Sequence, residues 1–124
     1  MRKKQVFRTV AEHLLKQKKQ SVYKDECLYR APQGLSCAIG CLISDEHYSE
    51  DLEGNQIDLP EVREAVSKSL GQPVTTGDVS MLQDLQDLHD YATVESWERR
   101  LDELADEYFE SKLMHILELS LIHI

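Results

Sequence analysis

Nine consecutive residues, Leu35-Ser36-Cys37-Ala38-Ile39-Gly40-Cys41-Leu42-Ile43, carry no charge and are nearly all small or apolar. In a chain of which 30% of residues are charged, such a run is driven out of water, and the rest of the molecule must fold round it. Periodicity does not separate a strand from a short helix over so few residues. Ser36 as an N-cap, and small residues at 37, 38 and 40, favour a short helix packed closely against a neighbour.

The flanking segments supply amphipathic partners. Val6, Phe7, Val10, Ala11, Leu14 and Leu15 recur at helical spacing among Lys, Arg and Gln, which predicts a helix over 4–18. Ser21 to Arg30 reads as extended, and Ala31-Pro32-Gln33-Gly34 as a turn, because Pro32 blocks helix and Gly34 tolerates positive φ. Residues 44–57 are acidic and read as a surface loop. A helix then starts at Asp58, with Glu61 completing a capping-box variant, Pro60 in its first turn, Val62, Ala65, Val66 and Leu70 inward, and Gly71 as the stop. Thr75 and Thr76 offer caps for a helix from about Asp78 to Tyr91, and Thr93 for another with Trp97, Leu101, Leu104 and Tyr108 on one stripe. These two should form an antiparallel hairpin. The expected fold is mainly α (α+β): four to five helices around one core, with a short β-hairpin or extended segment near residues 22–37.

A chain of 124 residues suits one domain, taken as residues 1–112. Residues 113–124 are read as a non-native or poorly ordered tail, because Leu119-Ser120-Leu121-Ile122-His123-Ile124 resembles the in-frame translation of a transposon sequencing adapter.

Charge is unevenly spread within a net −9. Residues 1–20 hold seven Lys/Arg against Glu12, whereas residues 78–110 hold eleven acids against Arg99 and Arg100. The acidic balance argues against general nucleic-acid binding. No stretch approaches the roughly 20 apolar residues of a membrane span, and the N-terminus lacks the apolar run of a signal peptide, so a cytoplasmic protein with reduced thiols is expected.

Three constellations carry candidate chemistry. Tyr29-Arg30 leads through the Gly34 turn to Ser36, where a helix start would aim free N–H groups at an anion, Arg30 would clamp a phosphate and Tyr29 would stack on a base. His89-Asp90 is a possible hydrogen-bonding pair at a site, against the plainer reading of a helix C-terminal histidine. Cys27, Cys37, Cys41 and His47 have zinc-type donors, but without Cys-x-x-Cys spacing the buried-thiol reading stands first. No nucleophile, phosphate-loop or metalloprotease motif is present, so no catalytic residue and no cofactor is assigned.

Cys27-Leu28-Tyr29-Arg30, then Gly34-Leu35-Ser36-Cys37-Ala38-Ile39-Gly40-Cys41-Leu42-Ile43, Asp45 and Tyr48, and later Leu82 through Asp90, resemble a family of short proteins from tailed phages and bacterial genomes. The likeness spans most of residues 5–110. The family has no assigned activity, so the resemblance implies fold and a phage-like origin and transfers no catalytic residue. The function expected is non-enzymatic binding, with a host protein or a small anionic ligand as partner: a counter-defence factor that sequesters a small nucleotide signal or inhibits a host protein. A homo-oligomer is a further possibility. A small cysteine- or zinc-dependent enzyme and a phage assembly protein are the alternatives.

Overall fold

A computed structural model describes the backbone of residues 1–122 and the side chains of residues 1–118; the side chains of the adapter-like residues 119–124 lie outside what is described. The chain runs α1 (Lys3–Gln17), β1 (Val22–Tyr23), β2 (Glu26–Cys27), β3 (Arg30–Ala31), β4 (Leu35–Ser36), α2 (Pro60–Leu70), α3 (Thr76–Tyr91), α4 (Trp97–Phe109) and α5 (Leu113–Ile122). The fold is mainly α with small antiparallel hairpins. No helix among the described residues is long and apolar enough to cross a membrane.

The extended region splits into two hairpins. β1 pairs with β2, Tyr23 opposite Glu26, and Lys24 and Asp25 between them both adopt positive φ, the geometry of the two-residue turn whose twist matches paired strands. β3 pairs with β4, Arg30 opposite Ser36 and Ala31 opposite Leu35. The Pro32-Gln33-Gly34 loop closes it, with φ of 68° at Gln33 and 76° at Gly34.

The uncharged run therefore does not begin as a helix at Ser36. Leu35 and Ser36 extend to complete the hairpin, and only Gly40–Leu42 winds into a single 3₁₀ turn. Tertiary pairing overrides the local capping signal. From Cys37 to Ile43 every residue but Cys41 is buried. Close packing is taken to its limit at Gly40, where a Cβ would stand 2.0 Å from the Tyr29 carbonyl oxygen.

Around this run lie the apolar faces of the helices. α1 contributes Val6, Phe7, Val10, Ala11 and Leu14, and α3 contributes Met81, Leu82, Leu85 and Leu88. α4 runs back along α3: Trp97 at its start stacks on His89, and Tyr108 near its end donates a hydrogen bond to Asp84. The two helices are thus antiparallel. α3 begins two residues before Asp78, in a capping box between Thr75 and Asp78. α2 is capped by neither side chain expected: its N-cap is Leu59, and Asp58 lies outside the helix in a turn. Proline at the first helical position supplies the starting φ without a side-chain cap, and Gly71, with φ of 67°, ends the helix.

The acidic 44–57 segment is anchored at two points, with Leu52 and Ile57 buried in the core. Beyond residue 112, which the sequence reading takes as the domain end, α5 buries Leu113 and Ile116 in the same core.

Gly40→Ala should cost at least about 3 kcal/mol, because the clash is with backbone and cannot be relieved by a rotamer change. Urea denaturation of the two proteins would measure it; a loss below about 1 kcal/mol would show that the hairpin can move away from the turn.

Candidate functional site

Tyr29 lies in the bend just before β3, and Arg30 is the first residue of that strand. Their backbone N–H groups are held by one carboxylate: Tyr29 donates to Glu53 Oε1 at 2.7 Å, and Arg30 to Glu53 Oε2 at 3.1 Å. The side chains then part. Tyr29 turns inward, 7% exposed, and its hydroxyl donates to the Asn55 carbonyl. Burial, followed by the neighbouring Cys37 and Glu53 side chains, pushes its phenol upward. A ring so placed is a core side chain and has no face for a nucleobase.

Arg30 turns outward. Its guanidinium donates to the Ile43 carbonyl at 2.9 Å, pairs with Asp45 at 2.7 Å and lies 4.4 Å from the Tyr48 ring centroid. Ser36, its cross-strand partner, lines the same open cleft of 570 Å³ with His13 and Asp45. The backbone anion nest expected at Ser36 is filled by protein. Ser36 N–H donates to Gln17 Oε1, Cys37 N–H to the Tyr29 carbonyl, Ile39 N–H to Gln86 Oε1 and Gly40 N–H to Cys37 Sγ.

On the other side of the β3 strand a second cleft, of 170 Å³, opens between the 53–57 segment and α3. Cys27, Tyr29, Glu53, Gln83, Gln86, Asp87, Asp90 and Tyr91 contribute to its lining. Beneath it lies a chain of polar contacts that the sequence reading assigned only in part. Gln86 accepts from Ile39 N–H and donates through Nε2 to Asp90 Oδ1 at 2.8 Å. His89, fully buried, contacts the same Asp90 oxygen through Nδ1 at 2.8 Å, and its Nε2 stands 2.9 Å from Ser21 N.

A backbone N–H can only donate, so Nε2 must be the acceptor and the proton must sit on Nδ1. His89 is therefore a neutral imidazole with both nitrogens engaged, and its contact with Asp90 is a hydrogen bond between a neutral ring and a carboxylate.

Cys27 Sγ, His89 and Asp90 bring donor atoms within 4.8 Å of one another, and among the described residues this is where metal-type ligands converge. A metal at Nδ1 would require that nitrogen to lose its proton while Nε2 still faces the Ser21 N–H, leaving an imidazolate; the trio does not fit a zinc ion. The set Cys27, Cys37, Cys41 and His47 is not brought together: Cys37 is buried, Cys41 Sγ donates to the Ala38 carbonyl, and His47 lies beside Glu46 against α2.

The thiols share one tendency. Loss of hydration at the cleft mouth, reinforced by the charge and hydrogen bond of Asp90, lifts Cys27 to about 11. Burial lifts Cys41 to about 12 and raises Cys37 as well. A thiol held in its neutral form is a poor nucleophile.

The sequence reading misses Glu53, Gln86 and Ser21. Each acts over a long sequence separation through a backbone N–H, for which composition and spacing carry no signal. It also passes over Tyr91, the outward aromatic at the end of α3, 84% exposed. Tyr91 lies between the 170 Å³ cleft and a wider one of 660 Å³ along α3 and α4, and borders both.

Compared with family models, curated proteins and solved structures, the chain matches none.

Two measurements check this geometry. Nitrogen chemical shifts of His89 should show the Nδ1–H tautomer near neutral pH; an Nε2–H signal would contradict the Ser21 contact. Cys27 should alkylate on the order of a hundredfold more slowly than a free cysteine at about pH 8. Asp90→Asn should speed it, because removing the carboxylate lowers the thiol's pKa and leaves more thiolate.

Proposed function

We propose that this chain is a non-catalytic binding protein that presents the carboxylate-rich ridge of α3 and α4 to a basic surface of a partner protein, with Tyr91 as the anchor. The observation that carries the reading is the exposure of Tyr91 between two clefts bordered by Asp84, Asp87, Asp90, Glu103 and Glu107, with Arg99 and Arg100 on the wider cleft paired to Glu103. Large aromatic side chains left in water at the centre of a polar surface are the usual anchors of protein interfaces. Surrounding carboxylates steer a cationic partner and reject anionic ones.

Several features favour binding over catalysis. His89 has no free nitrogen to act as a base, and the thiols are held protonated. Asp84 and Asp87 accept hydrogen bonds from Tyr108 and Gln83, which set their positions. The resemblance to short phage and bacterial proteins supports a host protein in the bacterial cytoplasm as the partner class and counter-defence as the role, with the carboxylates standing where nucleic-acid phosphates would bind.

Capture from bacterial lysate would compare the wild-type chain with Tyr91→Ala and with Asp84→Asn combined with Glu107→Gln. The same basic protein should be retained by wild type, released by about 0.5 M salt, and lost from Tyr91→Ala, whose truncation should cost about 2 kcal/mol or more of binding with unchanged thermal stability. Retention that ignores both salt and Tyr91 would sink the reading.

A further inference from the structure

We propose that the cleft between α1 and the β3–β4 hairpin is a phosphoryl-binding site, in which Arg30 is the receiving group and Asp45 an internal stand-in for the ligand. This site is separate from the α3–α4 ridge, and neither depends on the other.

Arg30 is prepared for an anion in a way that a plain surface arginine is not. Its guanidinium is fixed on one side by the Ile43 carbonyl at 2.9 Å and packed on the Tyr48 ring at 4.4 Å. Tyr48 is itself tied to Glu53 at 2.7 Å, and Glu53 holds the backbone N–H of Arg30. The side chain is two-thirds covered, with 32% exposure. The rotamer entropy that normally weakens an arginine contact has therefore already been lost in folding.

The group that occupies Arg30 is the opposite in kind. Asp45 pairs with it at 2.7 Å, yet the Asp45 side chain is 96% exposed. An ion pair whose acid stands in water is worth little and opens readily. A guanidinium has five N–H donors in a planar fork. The Ile43 carbonyl and Asp45 each take one, and the one held by Asp45 is released when that exposed carboxylate swings away.

A phosphoryl group carries more charge than the carboxylate it would displace and matches the fork with two oxygens. The cleft has room for one, at 570 Å³, and for a small molecule attached to it. His13 and Ser36 form its other wall; His13 Nε2 lies 2.8 Å from the Ser36 carbonyl, which can only accept, so the ring is held by an Nε2–H donor. With Asp45 displaced, Arg30 is the charged side chain that remains at the cleft.

The test uses the full chain with inorganic pyrophosphate and, in parallel, adenosine monophosphate, followed by calorimetry and by the Arg30 guanidinium resonance. Pyrophosphate should bind and shift that resonance. Asp45→Asn should tighten binding by about fivefold, since it removes the competing carboxylate, and Arg30→Gln should abolish it. Because Asp45 is exposed, its replacement leaves the fold intact, so a gain of affinity cannot be mistaken for misfolding. Tighter binding of adenosine monophosphate would assign a nucleotide as the source of the phosphoryl group, and tighter binding of pyrophosphate an inorganic one. No binding to wild type or to Asp45→Asn, or binding that survives Arg30→Gln, would overturn the proposal.

Discussion

The side chain of Gln86 joins the parts of this protein that differ most in kind. Its carbonyl accepts the Ile39 N–H from the uncharged run, and its amide donates to Asp90, which receives the buried His89 ring, which in turn accepts the Ser21 N–H ahead of the first hairpin. An apolar segment that leaves water must still satisfy its backbone N–H groups; this run meets those of Gly40 to Ile43 internally and those of Ser36 and Cys37 through Gln17 and the Tyr29 carbonyl. The Ile39 N–H is met by the polar edge of α3. Each such bond contributes only about 1 kcal/mol net, but leaving a donor buried and unmet costs about 1–3 kcal/mol, so the chain acts as a specification of geometry more than a store of stability.

That geometry explains why residues with reactive side chains are placed here without being free to react. His89, Asp90 and Cys27 meet at the mouth of a cleft, a grouping that in another arrangement would read as a catalytic triad. Here the ring is committed to Ser21 and Asp90, and loss of hydration, reinforced by the carboxylate beside it, suppresses the Cys27 thiolate. The same contacts that join the hairpin to α3 remove the base and the nucleophile. What remains available at the surface is charge and shape: a carboxylate ridge with an exposed tyrosine on one side, and a braced arginine on the other.

The two candidate surfaces diverge at a single step in the chain. Tyr29 and Arg30 face opposite ways, and Glu53 holds the backbone between them. Tyr29 closes the floor of one cleft, and Arg30 lines the other. Adjacency in sequence groups them as one ligand clamp, but the Tyr29 side chain goes to the Asn55 carbonyl and Arg30 to Ile43 and Asp45. Gly40 keeps the arrangement tight, since its missing side chain lets the 3₁₀ turn close onto the Tyr29 carbonyl.

The helices over 3–17, 60–70, 76–91 and 97–109 were legible in the sequence because apolar residues at helical spacing need no knowledge of the partner. So was the burial of most of the uncharged 35–43 run, which follows from its lack of charge, although Leu35, Ser36 and Cys41 stay half-buried. The antiparallel α3–α4 pair was legible from the short connection and the facing stripes, with Trp97 at the head of one. What only the tertiary structure decided is where the polar groups end up: Ser36 in a strand instead of a helix cap, Glu53 under Tyr29 and Arg30, His89 neutral and enclosed, Cys37 and Cys41 apart from His47. Hydrophobic burial is non-directional and can be read from pattern alone, whereas a hydrogen bond depends on which two atoms the packed core brings within 3 Å. Function in this protein rests on the second kind of information, and so it lies in the fold.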